Sequence, residues 1–276
     1  MPFTPSHAVV ALPFIRTPLV PAAVAIGAMT PDLPLFVRGV GVHYGFTHSV
    51  GNVVWTALLA FVLFLVWRVV LRSAVPDLLP VAVARRLPEE WSDRGTHVAG
   101  EAVGVGRGPW YPVLLAVSLL LGVVSHIVWD LFTHDGRAGV ALFPALDAMW
   151  GPLRGFTWLQ HGSSVLGLVV LAVWAAVRLR SAEPREAFAP SVPQAVRVAW
   201  WISLPLILVV AWVLGSAVLG PFTDEFTARH LAYRVLPPAC ALWGALTIAL
   251  CVALAVRGLR HQRGASRPNG RGAENA

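Results

Sequence analysis

The chain has 276 residues, of which 57% are hydrophobic and 13% are charged. A soluble domain carries about 25% charged residues, so this composition excludes an ordinary soluble protein and indicates an integral membrane protein. The net charge is +7, and every basic residue is an arginine. No soluble segment interleaves these arginines with aromatic side chains, so we expect membrane lipid and not nucleic acid as the partner. We attribute the exclusive use of arginine to a GC-rich bacterial genome.

The apolar segments, taken in chain order, predict an all-α polytopic bundle with five or six transmembrane helices. The first segment, residues 7–29, is interrupted by Pro13, Pro18 and Pro21. It therefore forms either one kinked span or a hairpin of two half-helices. We favour the hairpin, because each piece covers only about half of the ~30 Å of hydrocarbon. Further spans are predicted at residues 52–71, from 110 into the stretch around 126, and at 161–177, 198–219 and 236–256.

The arginines predict how these spans are oriented. We expect one transmembrane domain over residues 1–257, a cytoplasmic loop at about 73–109, and a disordered, basic tail at 258–276. Most arginines flank that loop, the loop after residue 177, and the tail. Because arginine-rich loops stay in the cytoplasm, we predict a multi-pass protein of the bacterial cytoplasmic (inner) membrane with a cytoplasmic C-terminus.

One stretch near the end of an apolar span carries ionisable side chains on a single face. His126, Asp130 and His134 stand at i, i+4 and i+8, so on an α-helix each is turned only about 40° from the last. Imidazole and carboxylate groups one turn apart can bind one cation, by the geometry that makes two histidines at i and i+4 a zinc site. Charge in hydrocarbon is penalised, so this stripe indicates a functional site.

Further histidines and aspartates are predicted at the same side of the membrane, at the ends of other segments. They are Asp32, His43, His48 and His161. Neutral imidazole with carboxylate is the ligand set of zinc, and also of manganese or iron. The pattern predicts a divalent metal centre near the outer membrane face, with zinc preferred. A purely structural polar network and a proton or ion pathway stay open as alternatives.

Five short motifs resemble those of a known family. They are Phe3-Thr4-x-x-His7, Pro31-Asp32, His43-x-Gly45-x-Thr47-His48-Ser49, Ser125-His126-x-x-x-Asp130-x-x-Thr133-His134 and Leu159-Gln160-His161-Gly162-Ser163. Together they resemble the bacterial membrane proteins of domain of unknown function 4184, over nearly the whole chain up to about Arg257. The middle three are also similar to motifs of inner-membrane-associated proteins described as metal-dependent hydrolases, although Tyr44 stands where that group usually has a basic residue. A more distant likeness is to zinc-dependent phospholipase C and related single-strand nucleases.

The resemblances imply roles for individual residues. The metal ligands implied by the matching positions are His7, Asp32, His48, His126 and Asp130. The residues implied as ligands of a second ion, or as groups that orient the ligands, are His43, His134 and His161. Asp32 and Asp130 are also the candidate catalytic residues, because either could act as the general base beside a metal-activated water.

These observations predict metal-dependent hydrolysis of a lipid or envelope phosphoester. The alternative is a non-enzymatic membrane scaffold or assembly protein, in which the histidines and aspartates hold the helices together. A small transporter is a third hypothesis. It fits less well, because a transporter places ionisable groups in broken helices at mid-membrane, whereas these stand at span ends.

Overall fold

The computed structural model describes residues 3–39 and 41–265. Within them, five helices are long and apolar enough to cross a membrane. They are Val50–Leu78, Tyr111–Thr133, Gly155–Ser181, Gln194–Leu219 and Ala228–Gly258. The predicted all-α polytopic bundle is therefore confirmed, and the chain is a multi-pass membrane protein in contact with lipid.

The helices and strands are short at the N-terminus and long towards the C-terminus. The α-helices are α1 (Pro21–Met29), α2 (Leu33–Phe36), α3 (Tyr44–Thr47), α4 (Val53–Leu65), α5 (Val75–Leu78), α6 (Val81–Ala84), α7 (Thr96–Val103), α8 (Tyr111–Thr133), α9 (Ala138–Leu142), α10 (Gly155–Ser181), α11 (Gln194–Leu219) and α12 (Ala228–Ala265). The 3-10 helices are Thr4–Phe14, Thr30–Asp32, Val50–Asn52, Arg72–Ala74, Glu89–Ser92 and Pro144–Leu146, and Val66–Leu71 is π-helical. A small antiparallel hairpin pairs β1 (Met149–Trp150) with β2 (Leu153–Arg154).

The first apolar segment is a hairpin, as the prolines predicted. The 3-10 helix Thr4–Phe14 and helix α1 pack against each other, and the chain turns between them around Pro18. Pro21 is in the first turn of α1. The missing N–H of a proline is tolerated there, because no carbonyl of the helix would accept a hydrogen bond from it. The hairpin therefore returns the N-terminal end of the chain to the level at which α1 ends.

Helix α1 lies unusually close to α8 because both present a glycine at the crossing. A Cβ atom on Gly122 would lie 2.2 Å from the carbonyl oxygen of Val24, and one on Gly27 would lie 2.4 Å from that of Leu119. Small residues allow membrane helices to approach backbone to backbone. One turn beyond Gly122 along α8 stands His126, so this approach determines what that side chain can reach.

Helix α10 packs on the other side of the N-terminal 3-10 helix. The Phe3 N–H donates to Ser164 Oγ at 3.0 Å. A Cβ on Gly167 would lie 2.9 Å from the carbonyl oxygen of Ser6. The 3-10 helix is thus held between α8 and α10, with His7 buried.

The two arginine-rich loops meet at the opposite end of the bundle. The backbone N–H of Arg185 donates to the carbonyl of Arg85 at 2.8 Å, and that of Ser191 donates to Asp77 Oδ1 at 2.6 Å. Residues 73–109 are therefore an ordered cap with short helices. The first long span also continues to Leu78, past the predicted end at 71.

Two further boundaries differ from the predicted ones. Helix α10 begins at Gly155 rather than at 161, and α12 begins at Ala228 rather than at 236. Helix α12 also runs on to Ala265, into the segment predicted to be a disordered tail from 258. The remainder of that tail, residues 266–276, lies outside the described residues.

Candidate metal centre

Five buried side chains from three parts of the chain meet at one end of the bundle. The N-terminal hairpin contributes His7 and Asp32, the segment after α3 contributes His48, and α8 contributes His126 and Asp130. His7, Asp32 and His126 have ligand atoms within 4.8 Å of one another, and so do His48, His126 and Asp130. His126 belongs to both groups, so the two groups form one cluster.

The distances within the cluster are short between the histidine Nε2 atoms and the carboxylates. His48 Nε2 lies 3.1 Å from His126 Nε2. Asp130 Oδ2 lies 3.3 Å from His48 Nε2 and 3.5 Å from His126 Nε2. Asp32 Oδ1 lies 3.8 Å and 3.7 Å from the same two nitrogens. Asp32 and Asp130 thus both approach the same two histidine nitrogens.

The other ring nitrogens of this histidine pair are bound to backbone carbonyls. His126 Nδ1 lies 2.7 Å from the carbonyl oxygen of Ala28, and His48 Nδ1 lies 2.9 Å from that of Tyr44. A carbonyl oxygen only accepts hydrogen bonds, so both Nδ1 atoms carry the proton and donate. In neutral rings, both Nε2 atoms then present lone pairs to each other, which is the arrangement of metal-bound histidines.

These separations are similar to those between atoms that bind one metal ion. Nitrogen and oxygen ligands at about 2.0–2.2 Å from zinc stand ~3.3–3.6 Å apart in a tetrahedron, and the separations above range from 3.1 to 3.8 Å. In the described part of the chain, His7 Nε2 and Asp130 Oδ1 are buried with no hydrogen-bond partner. Buried polar atoms are normally satisfied, so His7 Nε2 also fits a role as a metal ligand and Asp130 Oδ1 is a free acceptor.

Matching against known proteins assigns the family. A family model described as "domain of unknown function (DUF4184)" matches residues 1–257. The chain belongs to this family. The match includes all five residues of the cluster. No curated protein and no solved structure matches the chain, and the more distant likeness to metal-dependent hydrolases finds no support in these comparisons.

In this DUF4184 protein, burial shifts the pKa values of both His7 and Asp32. Burial, followed by the nearby His126, lowers the pKa of His7 to about 3, so its imidazole is neutral at pH 7. Burial raises the pKa of Asp32, against the opposing effects of His126 and the Thr4 hydroxyl. A carboxylate in this position is therefore stabilised by a nearby positive charge.

Two side chains that the sequence did not single out as site residues hold the aspartates. Thr4 Oγ1 donates to Asp32 Oδ2 at 2.7 Å. The Tyr44 hydroxyl donates to Asp130 Oδ2 at 3.3 Å, and its ring stacks on His48 at 3.7 Å between centroids. Burial and the nearby carboxylates raise the pKa of Tyr44, so the hydroxyl remains a donor. Thr4 and Tyr44 both lie within the sequence motifs given above, and this is the signal by which they could have been found.

His134 lies beside the cluster, where it contacts Asp130. Its Nδ1 is 3.6 Å from Asp130 Oδ1, and the amide nitrogen of Gln160 is 3.2 Å from its Nε2. An amide nitrogen only donates, so Nε2 accepts and Nδ1 carries the proton. Nδ1 donates to Thr133 Oγ1 at 3.2 Å, because that hydroxyl itself donates to the Trp129 carbonyl. This geometry suits a residue that orients Asp130.

The structure does not bring His43 and His161 into the buried cluster, because both are exposed. His43 precedes α3 in an extended conformation. Helix α10 starts six residues before His161, so that histidine sits within the helix rather than at its mouth. Successive residues of a helix point about 100° apart, and the neighbouring Gln160 is the residue that is buried. His43 and His161 therefore lie outside the buried cluster, and a role for them beside it stays a prediction.

Proposed function

We propose that this protein is a metal-dependent hydrolase embedded in the bacterial cytoplasmic membrane, acting on a phosphoester of a lipid or of the cell envelope. The observation that carries the proposal is the pair of Nε2 atoms of His48 and His126, 3.1 Å apart with both Nδ1 atoms directed at carbonyls. Two lone pairs at this distance repel each other unless a cation lies between them.

The charge of the cluster favours a divalent cation over a shared proton. Asp32 and Asp130 are both buried, and two buried carboxylates need two positive charges for compensation. One proton shared by two imidazoles supplies a single charge, whereas one divalent ion supplies both. The ligand set of three imidazoles and two carboxylates suits zinc first, and manganese or iron as well.

The protein's own residues divide the work of hydrolysis. His7, His48 and His126 would hold a divalent ion through their imidazoles, and the Thr4 hydroxyl fixes Asp32. Asp130 Oδ1 has no hydrogen-bond partner among the described residues, so it is the atom free to accept a proton as general base. A divalent ion held here would supply Lewis-acid activation of water and of the substrate oxygen.

The scaffold hypothesis fits the cluster less well. A structural network is stable when every buried polar atom has a partner, because an unpaired one destabilises the fold by about 1–3 kcal/mol. His7 Nε2 and Asp130 Oδ1 lack such partners in the described chain. We therefore treat the scaffold as the alternative that the experiment must exclude.

The decisive experiment measures metal, stability and turnover on one preparation. We expect purified wild-type protein to contain zinc, manganese or iron by elemental analysis. We expect a chelator to lower its melting temperature in detergent and added metal to restore it, because a ligand that binds the folded state stabilises it by about 2.7 kcal/mol at one hundred times Kd. Hydrolysis of p-nitrophenyl phosphate should follow the metal content.

The matched control is His161→Ala, which removes an exposed histidine from the same end of the bundle. It should keep metal, melting temperature and turnover. Metal-free wild-type protein, whose melting responds to neither chelator nor added zinc or manganese, would contradict the proposal and favour the scaffold.

A further inference from the structure

An apolar groove of about 500 Å³ runs beside the cluster, between the N-terminal 3-10 helix, α8 and α10. Its volume lies in the ~300–1,000 Å³ range of ligand-binding pockets. His7 is one of its walls, so the groove is continuous with the candidate metal centre. A second apolar cavity, of about 490 Å³, touches Thr4 but none of the five cluster residues.

The groove is mostly apolar, with Ser6, His7 and Ser125 among its polar lining residues and a hydrogen-bonded polar pair in one part. Ser163 and Trp129 line one part, where the indole N–H donates to Ser163 Oγ at 3.2 Å. Val10 and Val170 line another. Ser163 and Val170 are about 10 Å apart along α10, and Val170 is farther from the end of the bundle at which the helix starts. The polar part is therefore near the membrane surface and the apolar part is deeper.

The position of the groove in the membrane indicates what can occupy it. Two of its three walls, α8 and α10, are membrane-spanning helices. Val128 and Leu166, which line it, are 47% and 64% exposed, so the groove opens towards the hydrocarbon. A hydrocarbon chain is the matching occupant, because lipid chains fill apolar surface at this depth and water does not.

We propose that this groove binds one hydrocarbon chain of a membrane lipid, whose head group lies at His7 and the cluster. This inference deepens the proposed function, on which it rests for the chemistry at the head group: the substrate becomes a lipid whose phosphoester is presented to the aspartates. Chain binding itself does not require turnover, so the two ideas can fail separately.

The test uses full-length protein in nanodiscs of phosphatidylethanolamine and phosphatidylglycerol. A trace of phosphatidylglycerol carrying a diazirine in its acyl chain is photolysed, and the adducts are mapped by mass spectrometry. We expect adducts at Val10 and at Leu166 that disappear when unlabelled phosphatidylglycerol is raised. Lipid-facing surface away from the groove should be labelled in proportion to probe, without saturation.

Two substitutions fill the groove, and one matched substitution does not. Leu166→Trp, or Val170→Trp as a second variant, should abolish the saturable adducts while metal content and p-nitrophenyl phosphate hydrolysis stay unchanged. Leu58→Trp alters an exposed leucine in a different apolar cavity and should leave the adducts intact.

Removal of the metal centre separates the chain site from catalysis. His126→Ala should keep the saturable adducts and lose metal and turnover. If wild-type protein has no turnover but shows the adducts, the hydrolase proposal fails and the chain site stands. Labelling that is unsaturable, that survives both tryptophan variants, or that is replaced by crosslinks to a second protein chain overturns the chain site.

Discussion

Gly122 of α8 rests directly on Gly27 of α1. A Cβ atom on Gly122 would lie 2.9 Å from the Gly27 Cα, which is closer than two carbon atoms can approach without displacement. This contact sets the spacing between the helices, and one turn further along, His126 Nδ1 reaches the carbonyl oxygen of Ala28 at 2.7 Å. Packing of two glycines thus orients the histidine shared by both halves of the cluster.

Gly122→Ala should therefore separate α1 from α8 and disturb the cluster. We expect a loss of stability of about 1–3 kcal/mol from overpacking, together with lower metal content. Thermal melts in detergent and elemental analysis measure the two effects. Gly244→Ala is the control, because a Cβ there meets nothing within 4 Å. Wild-type stability and metal content in Gly122→Ala would contradict this account of the crossing.

His126→Ala and Asp130→Ala should each abolish bound metal without preventing insertion, since the apolar body of α8 does not need them. His134→Ala should lower metal affinity by about 10- to 100-fold, as expected for a residue that orients a ligand. Metal titrations followed by calorimetry measure this order, with the exposed His43→Ala as control. If the cluster is a structural network, His126→Ala and Asp130→Ala should instead both be less stable than wild type, whether or not metal is present.

Thr4→Val should weaken the centre by removing the hydroxyl that donates to Asp32 at 2.7 Å. We expect metal affinity to fall by about 10- to 100-fold, while the melting temperature of the metal-free protein changes little. Thr4→Ser keeps the hydroxyl and should restore affinity. Equal affinities for the valine and serine variants would show that the hydrogen bond does not matter.

The arginine-rich end of the bundle should face the cytoplasm. The loops that carry Arg85 and Arg185 pack on each other, so they share one side, and positive charge retains such loops inside. Reporter fusions after Arg260 and within residues 135–160 should report opposite sides, with the first cytoplasmic. If both fusions report the same side, the predicted topology is wrong. If the fusion within residues 135–160 is the cytoplasmic one, the candidate metal centre lies at the inner face.

Some of the site could be read from local spacing. His126 and Asp130 are one helical turn apart, so their common face follows from the α-helix alone. The position of His7 was harder to predict. The prolines of the first apolar segment allowed either one span or a hairpin, and only a hairpin brings His7 to His126. The exposure of His161 was not predicted, because the start of α10 was placed six residues too late and Gln160 is the buried residue at this point of the helix.

The sequence by itself determined that this is an all-α membrane protein, that its long apolar spans cross the bilayer, and that its family motifs carry histidine and aspartate. These properties depend on hydropathy and helical period, which are local along the chain. Only the tertiary structure decided that five of those residues meet, that Thr4 and Tyr44 hold the aspartates, and that His43 and His161 stay outside. Those outcomes depend on contacts between segments distant in sequence, such as the close approach of Gly27 to Gly122, which local patterns along the chain do not specify.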